Sequence, residues 1–376
     1  MLADYAATEQ RGSAALARSF AVCAAQDDLL NQGERSHMNC CTYLLPIRRS
    51  AFSEEEAREF VGYFEILRAA NCELIVVDGS PTDVYEQHRA LWSPLCRHEP
   101  VDKRFGYLND KVNGVHTGVE IASCEKIILA DDDIRYGAGD VQKICALLEE
   151  HELVRPQNFL APLPWWARME SARMLINRAT LRTGDYPGTC AFRRSTMLRV
   201  GHYDGDVLFD NEELVRHFAA AAADIHDATD FFIQKRPPTL RKWREQRPRQ
   251  AYEDFGLRAK TALFLLLPLV VAASAALAGL GGLILCLAAI SVFSVALACA
   301  GGARGEASEY IPPWVCLYAP LWVFERSIST YWALYWYMRY RGYPFGDKLL
   351  TKGIGRDWVE GGRIAPKSAL PERESP

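Results

Sequence analysis

Short apolar runs alternate with amphipathic stretches along the first two thirds of the chain. Residues 42–47, 74–77 and 127–129 are apolar and short enough to be strands, whereas 54–70 and 111–122 have the residue spacing of helices. Such alternation is typical of a parallel sheet covered by helices on its faces. The pattern therefore predicts an α/β domain with a mostly parallel, Rossmann-like sheet over residues 39–234.

A different pattern follows this region. Residues 261–300 contain no Asp, Glu, Lys, Arg or His. A helix crosses a bilayer with about 20 apolar residues, so this stretch is long enough to cross twice. Gly279, Gly281 and Gly282 lie near its middle, where a tight turn between two helices would fall. We therefore predict a transmembrane helical hairpin over residues 259–302.

The charges beside the apolar stretch predict its orientation. Between Lys235 and Lys260 the chain has nine Lys or Arg residues and three acidic residues. Basic residues are enriched on the cytoplasmic side of membranes. The basic juxtamembrane segment 235–258 thus predicts an integral membrane protein whose hairpin ends and α/β domain face the cytoplasm.

The segment 311–341 is rich in Trp and Tyr and has Glu325 and Arg326 at its centre. It fits a helix lying in the membrane interface, with its aromatic side chains at headgroup depth, or a third span with an internal ion pair. We favour the interfacial interpretation, because the basic tail 342–376 then stays on the side of the α/β domain. Residues 1–38 are Ala-rich and polar, and the sequence assigns them no role.

Composition excludes some classes of function. The 376-residue chain has a net charge of -4, whereas nucleic-acid-binding proteins usually have a basic surface. The sequence has no GxxxxGK[ST] loop, which argues against a P-loop kinase or ATPase. It also begins without the charged start and apolar core of a signal peptide.

The strongest candidate for chemistry is the triplet Asp131, Asp132 and Asp133, which follows the apolar run 127–129. Open α/β sheets bind ligands beyond the carboxyl ends of their strands. Side chains two residues apart in a strand share a face, so Asp131 and Asp133 could face one cation. Their hard oxygen ligands suit Mg²⁺ or Mn²⁺. Acid clusters also occur as solvated turns or helix caps, so the triplet alone does not establish a metal site.

Four motifs, one of which contains the triplet, together resemble the inverting family 2 glycosyltransferases of GT-A fold. The motifs are ELIVVDGSPTD at 73–83, KVNGVHTGVEIASCEKIILADDDIRY at 111–136, GTCAFRRSTMLRVGHYDGDVLFDNEEL at 188–214 and QRPRQAY at 246–252. The resemblance extends from about Tyr43 to Tyr252. QRPRQAY and the later RYRGYPF are also similar to elements of the ceramide glucosyltransferases.

The resemblance implies roles for individual residues. Asp131 and Asp133 would form the family's Asp-x-Asp metal motif, and Asp78 would contact the nucleotide. Arg249 would clamp the departing diphosphate, for which a planar guanidinium suits bidentate contact. The substrate-binding residues implied are Asp78, Lys111, Asp131, Gly188, Arg193, Gln246 and Arg249.

Two positions depart from the family pattern. The family usually has Glu-Asp-x-Glu-Leu around its catalytic base, whereas residues 210–214 here read Asp-Asn-Glu-Glu-Leu. Because a base must be ionisable, either Asp210 or Glu213 would take that role. Gln250 occupies a position where the family usually has Trp, so the stacking contact of that residue is not expected here.

The expected function is metal-assisted transfer of one sugar from a nucleotide-sugar donor, with a UDP-sugar expected, to a lipid or lipid-linked saccharide acceptor in the membrane. Nucleic acid is not an expected partner. Asn211 also permits a catalytically inactive, membrane-tethered scaffold that binds nucleotide sugar. A polysaccharide synthase is a further alternative, although two or three helices are few for a polymer channel. A Ca²⁺-binding module lacks the spaced acids of an EF-hand loop.

Overall fold

The computed structural model of the protein describes residues 41–186, 188–345 and 348–350. The predicted segment 1–38 and most of the predicted tail 342–376 lie outside these residues. One eight-stranded sheet forms the centre of the described chain. Its strands are β1 Cys41–Ile47, β2 Cys72–Asp78, β3 Arg97–Pro100, β4 Lys126–Ala130, β5 Ile134–Arg135, β6 Leu153–Leu160, β7 Thr189–Arg193 and β8 Ile225–Lys235.

Helices connect the strands and continue beyond them. Those within the sheet domain are α1 Glu54–Ala69, α2 Thr82–Trp92, α3 Asp110–Ile121, α4 Ala138–Glu150, α5 Trp165–Thr180, α6 Arg194–Val200 and α7 Asp210–Ala220. Those after the sheet are α8 Leu240–Glu253, α9 Arg258–Gly302, α10 Ala307–Tyr310 and α11 Ala319–Tyr340. Short 3₁₀ turns occupy Asp254–Gly256 and Pro313–Tyr318, and a small antiparallel pair joins β9 Tyr343–Phe345 to β10 Lys348–Leu350.

The strand order is β3-β2-β1-β4-β7-β6-β8-β5. Strands β3, β2, β1 and β4 are parallel, as are β6 and β8. Strand β7 is antiparallel to both β4 and β6, and β5 is antiparallel to β8. The sheet is therefore mixed, and the prediction of a mostly parallel sheet is not confirmed. Strand direction depends on how each connection crosses the sheet, which an apolar run does not specify.

Both faces of the sheet are buried around β1, β2 and β4, which explains why these three strands are mostly apolar. Tyr43 and Leu45 on β1 point into a core layer that includes Phe64 of α1. Leu44, between them, points into the opposite layer with Phe218 of α7. All seven residues of β1 are buried, so no side of this strand faces solvent.

Two glycines let α3 lie directly on β1. A Cβ added at Gly114 would be 2.8 Å from the Cβ of Pro46, and one at Gly118 would be 2.1 Å from Cδ1 of Leu44. Larger residues would push the helix away from the strand. This close packing fixes the first turn of α3, and therefore the backbone of Lys111, beside the end of the sheet.

Helix α9 covers the predicted membrane segment. Among the described helices it alone is long and apolar enough to cross a membrane, and its most apolar part is only 11% buried. Its backbone leaves helical geometry at Ala278 and Gly279, where φ is 59° at the glycine. Gly282 is so close to Ser274 that an added Cβ would lie 2.4 Å from the Ser274 carbonyl oxygen. The chain therefore reverses direction at the predicted glycines.

Helix α11 connects α9 to the sheet domain. Trp322 and Ala319 of α11 pack in one buried cluster with Phe264 and Ala298, which come from the two arms of α9. Tyr331 donates a hydrogen bond to the Leu265 carbonyl. Among the described helices, α11 does not combine the length and apolar composition of a membrane span, so a third transmembrane helix is not confirmed.

The glycine contacts of α3 give a prediction for stability. Gly118→Ala is expected to lower the free energy of unfolding by about 1–3 kcal/mol, because buried Leu44 cannot move aside without disturbing the core. Thermal unfolding of the full-length protein in detergent, followed by intrinsic fluorescence, measures the change.

Gly139→Ala in α4 is the matched control, since an added Cβ there has no atom within 4 Å. It is expected to leave stability unchanged or raise it by up to about 1 kcal/mol through helix propensity. Equal melting temperatures for the two variants would contradict the tight α3–β1 contact.

Candidate functional site

A cavity of about 750 Å³ opens at the carboxyl edge of the sheet. Residues at or just beyond the ends of β1, β2, β4, β6 and β8 line it, together with the N-terminal turns of α3 and α7 and one side of α8. The cavity thus lies where open α/β sheets bind their ligands. The chemically active side chains in its wall include Lys111, Asp131, Asp133, Asp210, Lys235 and Arg249.

Asp131 and Asp133 lie on either side of one cation. The Lys235 ammonium is 3.0 Å from Oδ1 of Asp133 and 3.5 Å from Oδ2 of Asp131. Gly188 leaves the space for this lysine, because a Cβ at Gly188 would be 3.0 Å from Nζ of Lys235. The predicted acid pair is therefore brought together, and Gly188 admits its counter-ion.

Lys111 joins the acid pair to the start of α7. Its ammonium donates to a carboxylate oxygen of Asp131, lies 2.7 Å from Oδ2 of Asp210 and donates to Oδ1 of Asn211 at 2.8 Å. Asn109 starts the helix that presents Lys111, since its side chain accepts a hydrogen bond from the Lys111 backbone N–H. Three segments distant in sequence thus meet at one ammonium group.

These contacts control the charge of the acid pair. Burial raises the pKa of Asp131, but the Lys111 and Lys235 ammonium groups more than offset it, and its pKa falls to about 2. Burial also raises the pKa of Asp133, and there the single Lys235 contact does not fully compensate, so that pKa lies above the usual value. Asp131 is the more firmly ionised of the two.

The middle acid of the triplet has a different environment. Oδ2 of Asp132 accepts a hydrogen bond at 2.6 Å from Arg49, which also binds Glu56. The triplet lies in the turn between β4 and β5, and in that turn Asp132 contacts Arg49 rather than the cation shared by Asp131 and Asp133. The triplet supplies two carboxylates to the shared cation and a third that anchors the loop after β1.

Asp78 is not placed for the predicted nucleotide contact. Its carboxylate is within hydrogen-bonding distance of Nδ1 of His88 at 2.7 Å and Nε2 of His98 at 3.1 Å, and it accepts a bond from the Ser80 backbone. Asp78 is only 2% exposed and does not line the cavity, although Val77 and Gly79 do. Burial raises its pKa, yet the hydrogen bonds from His88, His98 and Ser80 bring it well below the usual range.

Arg193 also lies outside the cavity wall. Its guanidinium donates to the carbonyl oxygens of Leu148 and Glu149 in the last turn of α4. Such carbonyls have no partner within their own helix, so an arginine there satisfies them. The structure therefore gives Arg193 a helix-capping role rather than the predicted substrate contact.

The two candidate bases occupy different positions on α7. Asp210 lines the cavity, whereas Glu213 does not. Glu213 is buried, and its Oε2 accepts a hydrogen bond at 3.3 Å from Arg216 on the same helix. Of the two acids, only Asp210 is positioned to meet a molecule in the cavity.

Helix α8 contributes the predicted Gln246 and Arg249 to the cavity wall. The Arg249 guanidinium donates to the Leu208 carbonyl and lies 5.2 Å from the ring centroid of Phe209. These contacts hold the arginine beside the first turn of α7, where Asp210 begins the helix.

Two residues of the site, Lys235 and Asn211, are not among the substrate-binding or catalytic residues that the sequence predicts. Lys235 ends β8 and pairs in register with Leu160, so it reaches the acids only because two distant strands are neighbours. Asn211, which departs from the family pattern, accepts a hydrogen bond from Lys111, and its amide nitrogen lies 3.4 Å from Oδ1 of Asp131. The lone Lys has no local pattern that would have identified it.

The donor set at the acid pair fits a hard divalent cation. Asp131 and Asp133 present carboxylate oxygens on both sides of a position that a cation, the Lys235 ammonium, already occupies. Mg²⁺ and Mn²⁺ commonly bind through one or two carboxylates, with substrate phosphates and water completing the coordination. These two residues would hold the metal, and the adjacent lysines would face its phosphate ligands.

Comparison with known proteins gives structural likenesses at low sequence identity. No family model and no curated protein sequence matches the chain. A mannosyltransferase from Pyrobaculum calidifontis in complex with GDP-Man and Mn²⁺ is 16% identical, with a TM-score of 0.44 over 81% of this chain and 92% of that one. A glucosyl-3-phosphoglycerate synthase from Mycobacterium tuberculosis in complex with Mn²⁺ and UDP-glucose is 18% identical, with a TM-score of 0.35 over 55% of this chain and 74% of that one.

The position of Asp78 predicts a structural rather than a binding effect. Asp78→Asn is expected to destabilise the protein by about 2–3 kcal/mol at neutral pH, since it removes a buried charge with three hydrogen-bond partners. The folded-state pKa of Asp78 is depressed, so its stabilisation is complete above the ordinary value of 3.8 and disappears as the pH falls below it.

Thermal unfolding of wild type and variant across pH 3–7 measures this difference, which should shrink at the acid end. Asp133→Asn is the comparison, because that carboxylate lines the cavity and is expected to have little effect on stability. If Asp78→Asn left stability unchanged and greatly lowered nucleotide affinity, the predicted contact between Asp78 and the nucleotide would be supported instead.

Proposed function

We propose that the protein is a membrane-bound inverting glycosyltransferase that moves a sugar from a nucleotide-sugar donor to a lipid or lipid-linked acceptor. The observation that carries the proposal is the group of three carboxylates and two lysines around one cavity at the carboxyl edge of the sheet. The charge of a leaving diphosphate must be neutralised by cations. The acceptor hydroxyl needs a base that removes its proton. The cavity offers both within one wall.

The divalent ion would be held by Asp131 and Asp133 and would stabilise the negative charge of the leaving diphosphate as a Lewis acid. Lys235, which contacts both carboxylates here, would give up that position to the ion and bind a phosphate oxygen beside it. Arg249 lies in the same cavity wall and offers a second cationic contact to the diphosphate.

Asp210 is the proposed base. It removes the proton from the acceptor hydroxyl while the hydroxyl oxygen forms a bond to the anomeric carbon. The bond between that carbon and the donor's phosphate oxygen breaks, and the nucleoside diphosphate leaves with the electron pair. Attack from the side opposite the leaving group inverts the configuration. Lys111, 2.7 Å from Oδ2 of Asp210, fixes the orientation of this carboxylate.

The membrane supplies the acceptor in this proposal. The two arms of α9 expose large apolar side chains, among them Leu263, Leu269, Leu277, Leu285 and Phe293. A long run of exposed apolar side chains of this kind is unusual on a soluble monomer. We place these arms in the bilayer and the sheet domain on the cytoplasmic side, where the basic segment 235–258 would face anionic headgroups.

An inactive scaffold remains the second candidate because Asn211 occupies the usual position of the base. Lys111 donates a hydrogen bond to the Asn211 side chain. This contact does not require that the protein catalyse transfer. The scaffold predicts nucleotide-sugar binding without transfer to any lipid. A polymerising synthase instead predicts a long saccharide product.

The metal prediction is tested with purified full-length protein in lipid micelles, screening UDP- and GDP-sugars with Mn²⁺, Mg²⁺ or EDTA. Turnover is expected with a divalent ion and should fall at least about 100-fold with EDTA or in Asp133→Ala. Electron paramagnetic resonance of Mn²⁺ with a nucleoside diphosphate gives a separate measure of metal binding. Full activity in EDTA would exclude the metal-assisted mechanism.

The two candidate bases are separated by a matched pair of variants. Asp210→Asn should lower kcat by about 100-fold or more, as expected for loss of a general base. Glu213→Gln should change kcat little, because Glu213 does not line the cavity. Single-turnover rates with saturating donor measure both, and the reverse ranking would move the base to Glu213.

A further inference from the structure

The Lys235 ammonium lies at the position where the acid pair would hold a divalent ion. Its Nζ is 3.0 Å from Oδ1 of Asp133 and 3.5 Å from Oδ2 of Asp131. Mg²⁺ binds carboxylate oxygens at about 2.1 Å. An ammonium group and a divalent ion cannot share the same two oxygens, because their charges repel strongly at such short range. Lys235 must therefore move before both carboxylates can bind a metal.

One oxygen of the acid pair is reached only through this movement. Oδ1 of Asp133 is closed to solvent, and the Lys235 ammonium lies 3.0 Å from it. The lysine side chain also lines the cavity, so it lies between that oxygen and the space that a ligand would occupy. Lys235 thus competes with a metal for its ligand and also covers that ligand.

The backbone of Lys235 is fixed, whereas its side chain has room to move. Lys235 pairs in register with Leu160 of β6 on one side and with Ile134 of β5 on the other. Ile134 directly follows Asp133, so the sheet keeps the lysine beside the acid pair. The ammonium ends a flexible four-carbon chain that is 23% exposed. Lys235 can therefore leave the carboxylates without leaving the cavity.

The charges of the site are close to balance while Lys235 contacts the acids. Three carboxylates, those of the acid pair and of Asp210, face the two ammonium groups of Lys111 and Lys235, which leaves one unbalanced negative charge. Such a group attracts a free divalent ion only weakly. An ion that displaced Lys235 would also leave a partly buried ammonium without a counter-ion, which costs free energy.

A diphosphate changes this balance. Its oxygens complete the coordination of a divalent ion, and they offer the displaced ammonium a new partner. Within the described residues, no group of three His, Cys, Asp or Glu side chains is placed to hold a metal. The two carboxylates of the acid pair therefore depend on phosphate oxygens for a complete site.

We propose that Lys235 excludes a free divalent ion from the acid pair and admits it together with the diphosphate of the donor. This inference rests on the proposed function and gives Lys235 a positioning role, in which its ammonium passes from the acids to a phosphate oxygen. The coupling is reciprocal: the nucleotide raises the affinity for the metal by the same factor as the metal raises the affinity for the nucleotide.

The first test measures Mn²⁺ binding to the full-length protein in lipid micelles by electron paramagnetic resonance, without nucleotide. Lys235→Met should bind Mn²⁺ about 10-fold more tightly than wild type, because the competing ammonium is gone. Lys242→Met is the matched control. It removes a lysine from the same cavity wall, but the described ion pairs of the acid pair are those with Lys111 and Lys235. It should change the Mn²⁺ affinity by less than about 3-fold.

The second test repeats the titration with saturating UDP or GDP. The nucleotide should raise the Mn²⁺ affinity of wild type at least about 30-fold, and this gain should be about 10-fold smaller in Lys235→Met. A thermal unfolding curve of Lys235→Met shows whether the variant is folded. Mn²⁺ binding by folded Lys235→Met that is unchanged or weaker without nucleotide, or an undiminished gain from the nucleotide, would overturn the inference.

The titration without nucleotide separates failure of the inference from failure of the proposed function, because it needs neither a donor nor turnover. If a sugar is transferred while Lys235→Met binds Mn²⁺ no more tightly than wild type, the transferase stands and the role of Lys235 is wrong. If Lys235→Met gains Mn²⁺ affinity but neither UDP nor GDP binds, the exclusion of free metal is supported and the proposed function fails.

Discussion

The Lys111 ammonium group is the interaction on which the candidate site depends. It lies between Asp131, at the end of β4, and Asp210, at the start of α7, and it also binds Asn211. Several carboxylates confined in one cavity would otherwise repel one another, and burial would favour their protonated forms. With Lys235 on the other side, the site contains its own cations and keeps Asp131 ionised, with a pKa of about 2.

The position of Lys111 is in turn a consequence of core packing. Helix α3 approaches β1 at Gly114 and Gly118 more closely than any residue with a Cβ would allow. The helix therefore begins at the carboxyl edge of the sheet, where its first turn reaches the residues after β4. A contact between helix and strand on the buried face thus determines the geometry of a polar site at the edge.

Helices α8 and α11 connect that polar site to an apolar surface. Glu325 and Arg326, adjacent on α11, do not pair with each other but face Arg247 and Asp254. This arrangement lets α11 carry buried charges on the side of the sheet domain and exposed apolar residues such as Ile328 on the other. In the proposed function, a water-soluble donor and a lipid acceptor would enter from these two sides.

Local pattern was sufficient to identify the main strands and helices, the acid pair Asp131 and Asp133, and the apolar segment with its central glycines. These features depend on residue type and short-range spacing, which the chain carries within a few residues. Tertiary structure decided the direction of β7 and the partners of Asp78 and Arg193. It also brought Lys235 to the acids, because β8 comes to lie beside β6. Lys235 is more than 100 residues from Asp131 and Asp133 in sequence, so no local pattern identifies it as their counter-ion. Only the folded sheet makes these positions neighbours.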